Sequence, residues 1–224
     1  NSDTIYGLEG DDVINGKTGN DVMYGGSEND TLNGEDGNDV LEGGAGNDVL
    51  EGGVGNDVYK FNLGDGQDTI NGENYNTGWP NWTTVTYGTD KILFGAGIVK
   101  EDLEYVPSGT DLLIRIKGTT DEIKLVNYLS DNSNAYGTAI KSLEFSDGSV
   151  FDMTKGFVLT GTESNEIIHG TNQGDTIYGL GGDDTIYGKT GNDIVYGEAG
   201  NDMINGGAGD DILSGEVGND TLNG

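Results

Sequence analysis

The sequence contains no cysteine, which excludes a disulfide framework and thiol chemistry. It has a single histidine, His169, so Ser–His–Asp and Cys–His catalysis have little to stand on. No apolar run approaches the roughly 18 residues of a membrane-crossing helix, so no spanning segment is expected. No N-terminal targeting segment is recognisable. Basic residues are scarce: ten Lys and Arg face 40 Asp and Glu, for a formal charge of −30. Such a chain repels phosphate backbones and is not expected to bind nucleic acid. Large apolar residues are also few, and that combination ordinarily means disorder.

Glycine is abundant instead: 42 of 224 residues, against a usual level of about 7%. The glycines are periodic, and this opposes the disordered reading. Residues 34–51 read Gly-Glu-Asp-Gly-Asn-Asp-Val-Leu-Glu and then Gly-Gly-Ala-Gly-Asn-Asp-Val-Leu-Glu, one nine-residue unit written twice. Six full units begin at Gly7, Gly16, Gly25, Gly34, Gly43 and Gly52. Seven more begin at Gly161, Gly170, Gly179, Gly188, Gly197, Gly206 and Gly215. Position one is Gly in all 13 units, and position four is Gly in ten. Position six is Asp in 12, with Glu166 the exception, and position eight is apolar in all 13. The pattern begins and ends in mid-unit, so the chain reads as part of a longer protein.

A three-residue strand cannot bury a face alone, but it can when stacked on copies of itself. Two units make one coil of strand, turn, strand, turn, and coils stack at about 4.8 Å. Position eight then points inward, and positions seven and nine point outward. Each turn exposes main-chain carbonyls and one carboxylate. These are hard oxygen donors, suited to Ca²⁺ rather than to Zn²⁺ or Cu²⁺. The expected fold class is all-β: two parallel β-rolls flanking a small, mostly antiparallel β unit. The expected division is 1–71 for the first roll, 72–160 for the intervening unit and 161–224 for the second roll. Residues 72–90 read as a loop holding Trp79 and Trp82, either packed against the β unit or forming a ligand site. Short strands are expected at Lys91–Phe94, Leu103–Val106, Leu112–Ile116, Ile123–Leu129 and Ile140–Phe145. A helical turn is expected near Val99–Leu103 and a tight turn at Asp147-Gly148.

The repeated units resemble the RTX, or haemolysin-type, calcium-binding nonapeptide family over residues 1–71 and 161–224. The resemblance implies a β-roll in which each Ca²⁺ lies between turns two units apart. The earlier turn supplies carbonyls two and four and its aspartate; the later turn supplies carbonyls one and three and its aspartate. Carried over, Lys17, Gly19 and Asp21 share an ion with Gly34, Asp36 and Asp39. Leu180, Gly182 and Asp184 share one with Gly197, Ala199 and Asp202. The same rule joins Leu8, Gly10 and Asp12 to Gly25, Ser27 and Asp30, and Asp30 to Gly43, Ala45 and Asp48. It joins Gly37 and Asp39 to Gly52, Val54 and Asp57. In the second block it joins Asp175 to Asp193, and Lys189, Gly191 and Asp193 to Gly206, Ala208 and Asp211. It also joins Gly200 and Asp202 to Gly215, Val217 and Asp220. Four complete sites in the first block and five in the second make nine. Asp3 and Asp68 offer further edge sites, and Glu166 weakens the first site of the second block.

The resemblance also implies secretion through a type I machinery into the extracellular space or onto the cell surface. Residues 91–151 resemble, more loosely, the β unit that accompanies such repeats. The expected function is a non-enzymatic calcium-binding module of a large secreted protein, coil at low calcium and folded outside the cell. The rival reading is an adhesin segment that binds host-surface glycan, or less readily ice, through an exposed roll face. Ice binding would want Thr at position three, where only Thr18 and Thr190 qualify. Tyr178 and Tyr196, both at position nine, read as sheet packing or as a sugar-binding stripe. His169, also at position nine, reads as a surface residue.

Overall fold

A computed structural model describes residues 1–71, 88–130 and 140–224. Trp79, Trp82 and most of the loop expected at 72–90 lie outside these residues. The described residues form two compact units. The described residues of the first fall within Asn1–Leu103, Ile116–Tyr128 and Asn132–Met153, and those of the second within Glu104–Arg115, Leu129–Asp131 and Thr154–Gly224.

In the first unit the nine-residue period becomes β1 (Thr4–Glu9), β2 (Val13–Asn15), β3 (Val22–Ser27), β4 (Thr31–Asp36), β5 (Val40–Ala45), β6 (Val49–Val54), β7 (Val58–Phe61) and β8 (Gln67–Ile70). Odd strands stack in one sheet and even strands in another, all in parallel. Identical positions face each other. Ile5 pairs with Met23, Met23 with Leu41 and Leu41 with Tyr59; Ile14 pairs with Leu32 and Leu32 with Leu50. Side chains alternate faces along a strand, so one position-eight residue per unit enters the core. Met23, Leu32 and Leu41 are fully buried there.

The sheets do not stop at Asn71. β9 (Asp90–Phe94) pairs with β7 in parallel, with Ile92 against Tyr59. A 3₁₀ turn at Lys100–Asp102 leads into β10 (Leu103–Ser108), followed by β11 (Asp111–Ile116). β12 (Glu122–Leu125) pairs with β8, and β13 (Ile140–Glu144) with β9, both in parallel. β14 (Val150–Asp152) is antiparallel to β13 across the Asp147-Gly148 turn, where Gly148 has a φ of 85°. The middle strands that join the first roll therefore differ from the mostly antiparallel arrangement expected. They continue its parallel winding because Ile92, Leu125 and Leu143 extend the same apolar column.

In the second unit β10 pairs in parallel with β15 (Val158–Thr160). There follow β16 (Ile167–His169), β17 (Thr176–Tyr178), β18 (Thr185–Thr190), β19 (Ile194–Tyr196), β20 (Met203–Ala208), β21 (Ile212–Ser214) and β22 (Thr221–Asn223). β15, β17, β19 and β21 form one parallel face; β16, β18, β20 and β22 form the other. Leu159, Ile177 and Val195 fill the core beside Ile168, Ile186 and Ile204. Leu222, at position eight of the last unit, is 45% exposed.

Candidate metal centres in the turns

The turns stack in columns, and each position-six aspartate sits above the one two units away. One carboxylate oxygen has a fixed partner. Asp21 N donates to Asp39 Oδ1 at 2.7 Å, Asp30 N to Asp48 Oδ1 at 2.8 Å and Asp39 N to Asp57 Oδ1 at 2.7 Å. Asp184 N donates to Asp202 Oδ1 at 2.8 Å, Asp193 N to Asp211 Oδ1 at 3.0 Å and Asp202 N to Asp220 Oδ1 at 3.0 Å. The other oxygen has none. Oδ2 of Asp12, Asp21, Asp30, Asp39, Asp48, Asp57, Asp184, Asp193, Asp202 and Asp211 is buried without a hydrogen-bond donor. A buried charged oxygen in that state costs at least about 1–3 kcal/mol, so a cation is the expected complement.

That oxygen shares its pocket with a carbonyl. A Cβ built on Gly16 would meet Asp21 Oδ2 at 2.7 Å and Gly34 O at 2.9 Å. On Gly179 it would meet Asp184 Oδ2 and Gly197 O, both at 2.7 Å. The same pair crowds Gly7 (Asp12 and Gly25), Gly25 (Asp30 and Gly43), Gly34 (Asp39 and Gly52) and Gly188 (Asp193 and Gly206). Position one is glycine because a methyl group would fill this cradle. Carbonyls two and four of the earlier turn face the later one. Leu8 O and Lys189 O lie where a Cβ on Gly26 or Gly207 would stand, and Gly19 O, Gly182 O and Gly191 O where one on Gly37, Gly200 or Gly209 would stand.

Several of these carbonyls already accept one main-chain hydrogen bond. Lys17 O takes it from Asp36 N and Leu180 O from Ala199 N. The position-three oxygens of Asp36, Ala45, Val54, Ala199, Ala208 and Val217 take one from the position-four N–H of the turn below. Each carbonyl has a second lone pair for an ion. Ser27 lies opposite Glu9 in the β1–β3 ladder. Among the described residues no three His, Cys, Asp or Glu side chains converge on one point. Each cradle sets a carboxylate oxygen beside a main-chain carbonyl, hard oxygen donors of the kind that suit Ca²⁺.

In seven of the units position two is left-handed although it is not glycine. Leu8, Lys17, Glu35, Leu180, Lys189, Glu198 and Glu216 have φ between 64° and 90°. An L-residue there costs roughly 1–2 kcal/mol, and such strain concentrates at ligand sites.

Two turns depart from the rule, those of Glu166 and Asp175. Thr171 N donates to Asp175 Oδ2 at 2.6 Å, and Thr171 Oγ1 donates to the same carboxylate at about 3 Å. Thr162 treats Glu166 alike, with N to Oε2 at 2.7 Å and Oγ1 to Oε1 at 2.8 Å. Neither acid has an orphaned oxygen, because a threonine at position two closes its own turn. Both units also lack glycine at position four, where Ser164 and Gln173 stand. Both Asp175 carboxylate oxygens accept hydrogen bonds, Oδ1 from Phe157 N and Oδ2 from Thr171 N.

A position not singled out in the sequence carries a second ladder. Position five is Asn or Asp in 12 of 13 units, with Gly174 the exception. Its side-chain oxygen accepts from the main-chain N–H of the equivalent residue one coil on: Asn38 N to Asn20 Oδ1 at 2.9 Å, Asn56 N to Asn38 Oδ1 at 2.8 Å and Asn201 N to Asp183 Oδ1 at 2.8 Å. The regular Asn before each Asp was the available signal.

Burial raises the turn carboxyls, and neighbouring acids add to it, while main-chain donors act in the opposite direction. Asp48 and Asp184 are pushed up to about 6, Asp57 to about 7 and Asp68 to about 8. Burial likewise raises Asp30, Asp39 and Asp193. An ion would supply the charge that burial has removed from water.

On the outer faces the aromatic side chains at position nine stack on each other: Tyr178 on Tyr196 at 5.2 Å and 9°, His169 on Tyr187 at 5.1 Å and 11°, and Tyr6 on Tyr24 at 5.0 Å and 7°. Trp79 and Trp82 lie outside the described residues.

The family described as the RTX calcium-binding nonapeptide repeat matches residues 1–32, 24–59, 160–195 and 187–222. The haemolysin-type calcium binding protein related domain matches residues 111–155. A search of curated proteins gives no match. Repeat matches, orphaned carboxylates and glycine-walled cradles agree: this chain belongs to the RTX calcium-binding nonapeptide-repeat family.

Proposed function

We propose that the chain is a calcium-triggered folding module of a secreted protein, exported as coil and folded where calcium is plentiful. The observation that carries the reading is the column of buried Asp Oδ2 atoms without donors. A charge of −30 makes the calcium-free chain repel itself. Extracellular calcium modules have dissociation constants of about 10⁻⁴–10⁻³ M. At tenfold excess over such a constant each site adds about 1.4 kcal/mol. In a cytosol poor in calcium the gain is close to zero, and an unfolded chain suits passage through a type I secretion channel. The carbonyl and carboxylate assignments above, Asp175 and the Glu166 turn excepted, are the proposed ligands. The stacked rings support sheet packing over a glycan platform, since each ring of a pair turns a face to its neighbour.

Far-UV circular dichroism tests the reading. In chelator the chain should be mainly coil, and millimolar Ca²⁺ should restore the β signal. Mg²⁺ should substitute poorly, because it gives up water reluctantly and demands near-ideal octahedral geometry. A roll fully formed in chelator would rule the proposal out.

A further inference from the structure

Asp90 lies outside both repeat blocks, yet it makes the contacts of a position-six aspartate. Asp57 N donates to Asp90 Oδ1 at 2.8 Å, as Asp39 N does to Asp57 Oδ1 at 2.7 Å. Thr89 N donates to Asn56 Oδ1 at 2.9 Å, as Asn56 N does to Asn38 Oδ1 at 2.8 Å. Lys91 N donates to Asp57 O at 3.0 Å, as Val58 N does to Asp39 O at 2.8 Å. A Cβ on Gly88 would collide with Gly55 O, just as one on Gly55 would collide with Gly37 O. Gly88-Thr89-Asp90 thus reproduces positions four, five and six of one more turn, 33 residues from its partner rather than 18.

The cradle above it is built. Asp57 is 0% and Asp90 1% exposed, and Asp57 Oδ2 is among the orphaned oxygens. Tyr59 is the only aromatic residue at position eight in the 13 units. Its Oη accepts from Gly52 N at 2.8 Å and lies 2.7 Å from where a Cβ on Gly52 would stand, beside Asp57 Oδ2. In the turn of Gly16 that place belongs to a carbonyl, Gly34 O. A phenol oxygen is a hard neutral donor of the same kind.

We propose that Asp57, Asp90, Gly55 O and Tyr59 Oη hold a further calcium ion, which clamps the non-repeat strand β9 to the end of the first roll. The proposal rests on the calcium-binding reading above. The competing cation is Lys141, whose charge acts on Asp90. Neutralisation by Lys141 would leave no need for an ion.

Calorimetric titration of the whole chain with CaCl₂ decides between them. Asp90→Asn keeps an Oδ1 acceptor for Asp57 N and removes the charge, so the number of bound ions should fall by one. An unchanged, non-zero number overturns the proposal and leaves Lys141 as the partner. No binding in the unmodified chain overturns both this proposal and the calcium reading. If Asp90→Asn does not fold, Tyr59→Phe carries the test, since it keeps the buried ring and removes only Oη. It should weaken one site by about tenfold, the scale of one lost charge-assisted contact. Unchanged affinities overturn the proposal.

Discussion

The smallest unit of this fold is a carboxylate with one oxygen bonded to the main chain and one left over. Asp39 shows both halves: Oδ1 accepts from Asp21 N, and Oδ2 lies buried against the Gly34 turn without a donor. Asp39→Asn should keep the first contact and remove the charge from the second. Losing a buried charged contact costs about 1.5–3 kcal/mol, or roughly tenfold to a hundredfold in the constant of the affected site. Asp102→Asn is the control, since Asp102 caps a surface 3₁₀ turn by accepting from Val99 N at 3.1 Å. Calcium titration followed by circular dichroism should show a higher midpoint for the first variant alone. Equal midpoints would remove position six from the ligand set.

At the scale of the turn, two residues decide whether a carboxylate waits for an ion or closes on itself. Regular turns carry a left-handed residue at position two, while the turns of Gly161 and Gly170 carry Thr162 and Thr171, which hydrogen-bond to their own acids. The threonine side chain and main-chain N–H satisfy the acid locally. Thr171→Gly combined with Gln173→Gly restores glycine at positions two and four and releases Asp175. One additional bound calcium is the expected result in calorimetry. An unchanged count would mean that the flanking turn, where Phe157 N already donates to Asp175 Oδ1, keeps the site shut.

At the scale of the whole molecule, charge and edges dominate. The raised carboxyls give the calcium-free and calcium-loaded states opposite pH dependences. A carboxyl whose folded pKa is raised favours the fold below its unfolded value near 4, and that contribution is lost as pH rises through the folded value. With Asp184 at about 6, Asp57 at about 7 and Asp68 at about 8, the calcium-free chain should gain structure as pH falls from about 8 toward 4. Over the same window protons compete for the ligands, so the calcium midpoint should rise as pH falls. Parallel trends in the two titrations would contradict this. Edges matter because an open coil leaves strand groups unpaired. In the second unit Gly109 bridges Ile168, β15 covers β17, and Phe157 packs edge-on against Tyr105 at 5.1 Å. A fragment 161–224 lacks all three and should stay largely coil at a calcium level that folds the whole chain. Folding of that fragment at equal or lower calcium would show that these contacts are dispensable.

By itself the sequence determined the repeat: its period, the inward position eight, the carboxylate at position six and the glycine beside it. All of these are local, because a unit stacked on copies of itself meets its own pattern at a fixed offset. The short strands near Lys91, Leu112 and Ile140 were legible for the same reason, through alternation and turn residues. Only the tertiary structure decided what happens where the offset fails. Asp90 joins the Asp57 column across 33 residues, and no periodicity reaches that far. β9, β12 and β13 stack in parallel on the roll, where a mostly antiparallel unit was expected. Thr171 takes Asp175 for itself, which depends on backbone angles that composition does not reveal. A periodic chain declares its rule in one dimension, but its exceptions are settled by which groups come within hydrogen-bonding distance once the coils are stacked.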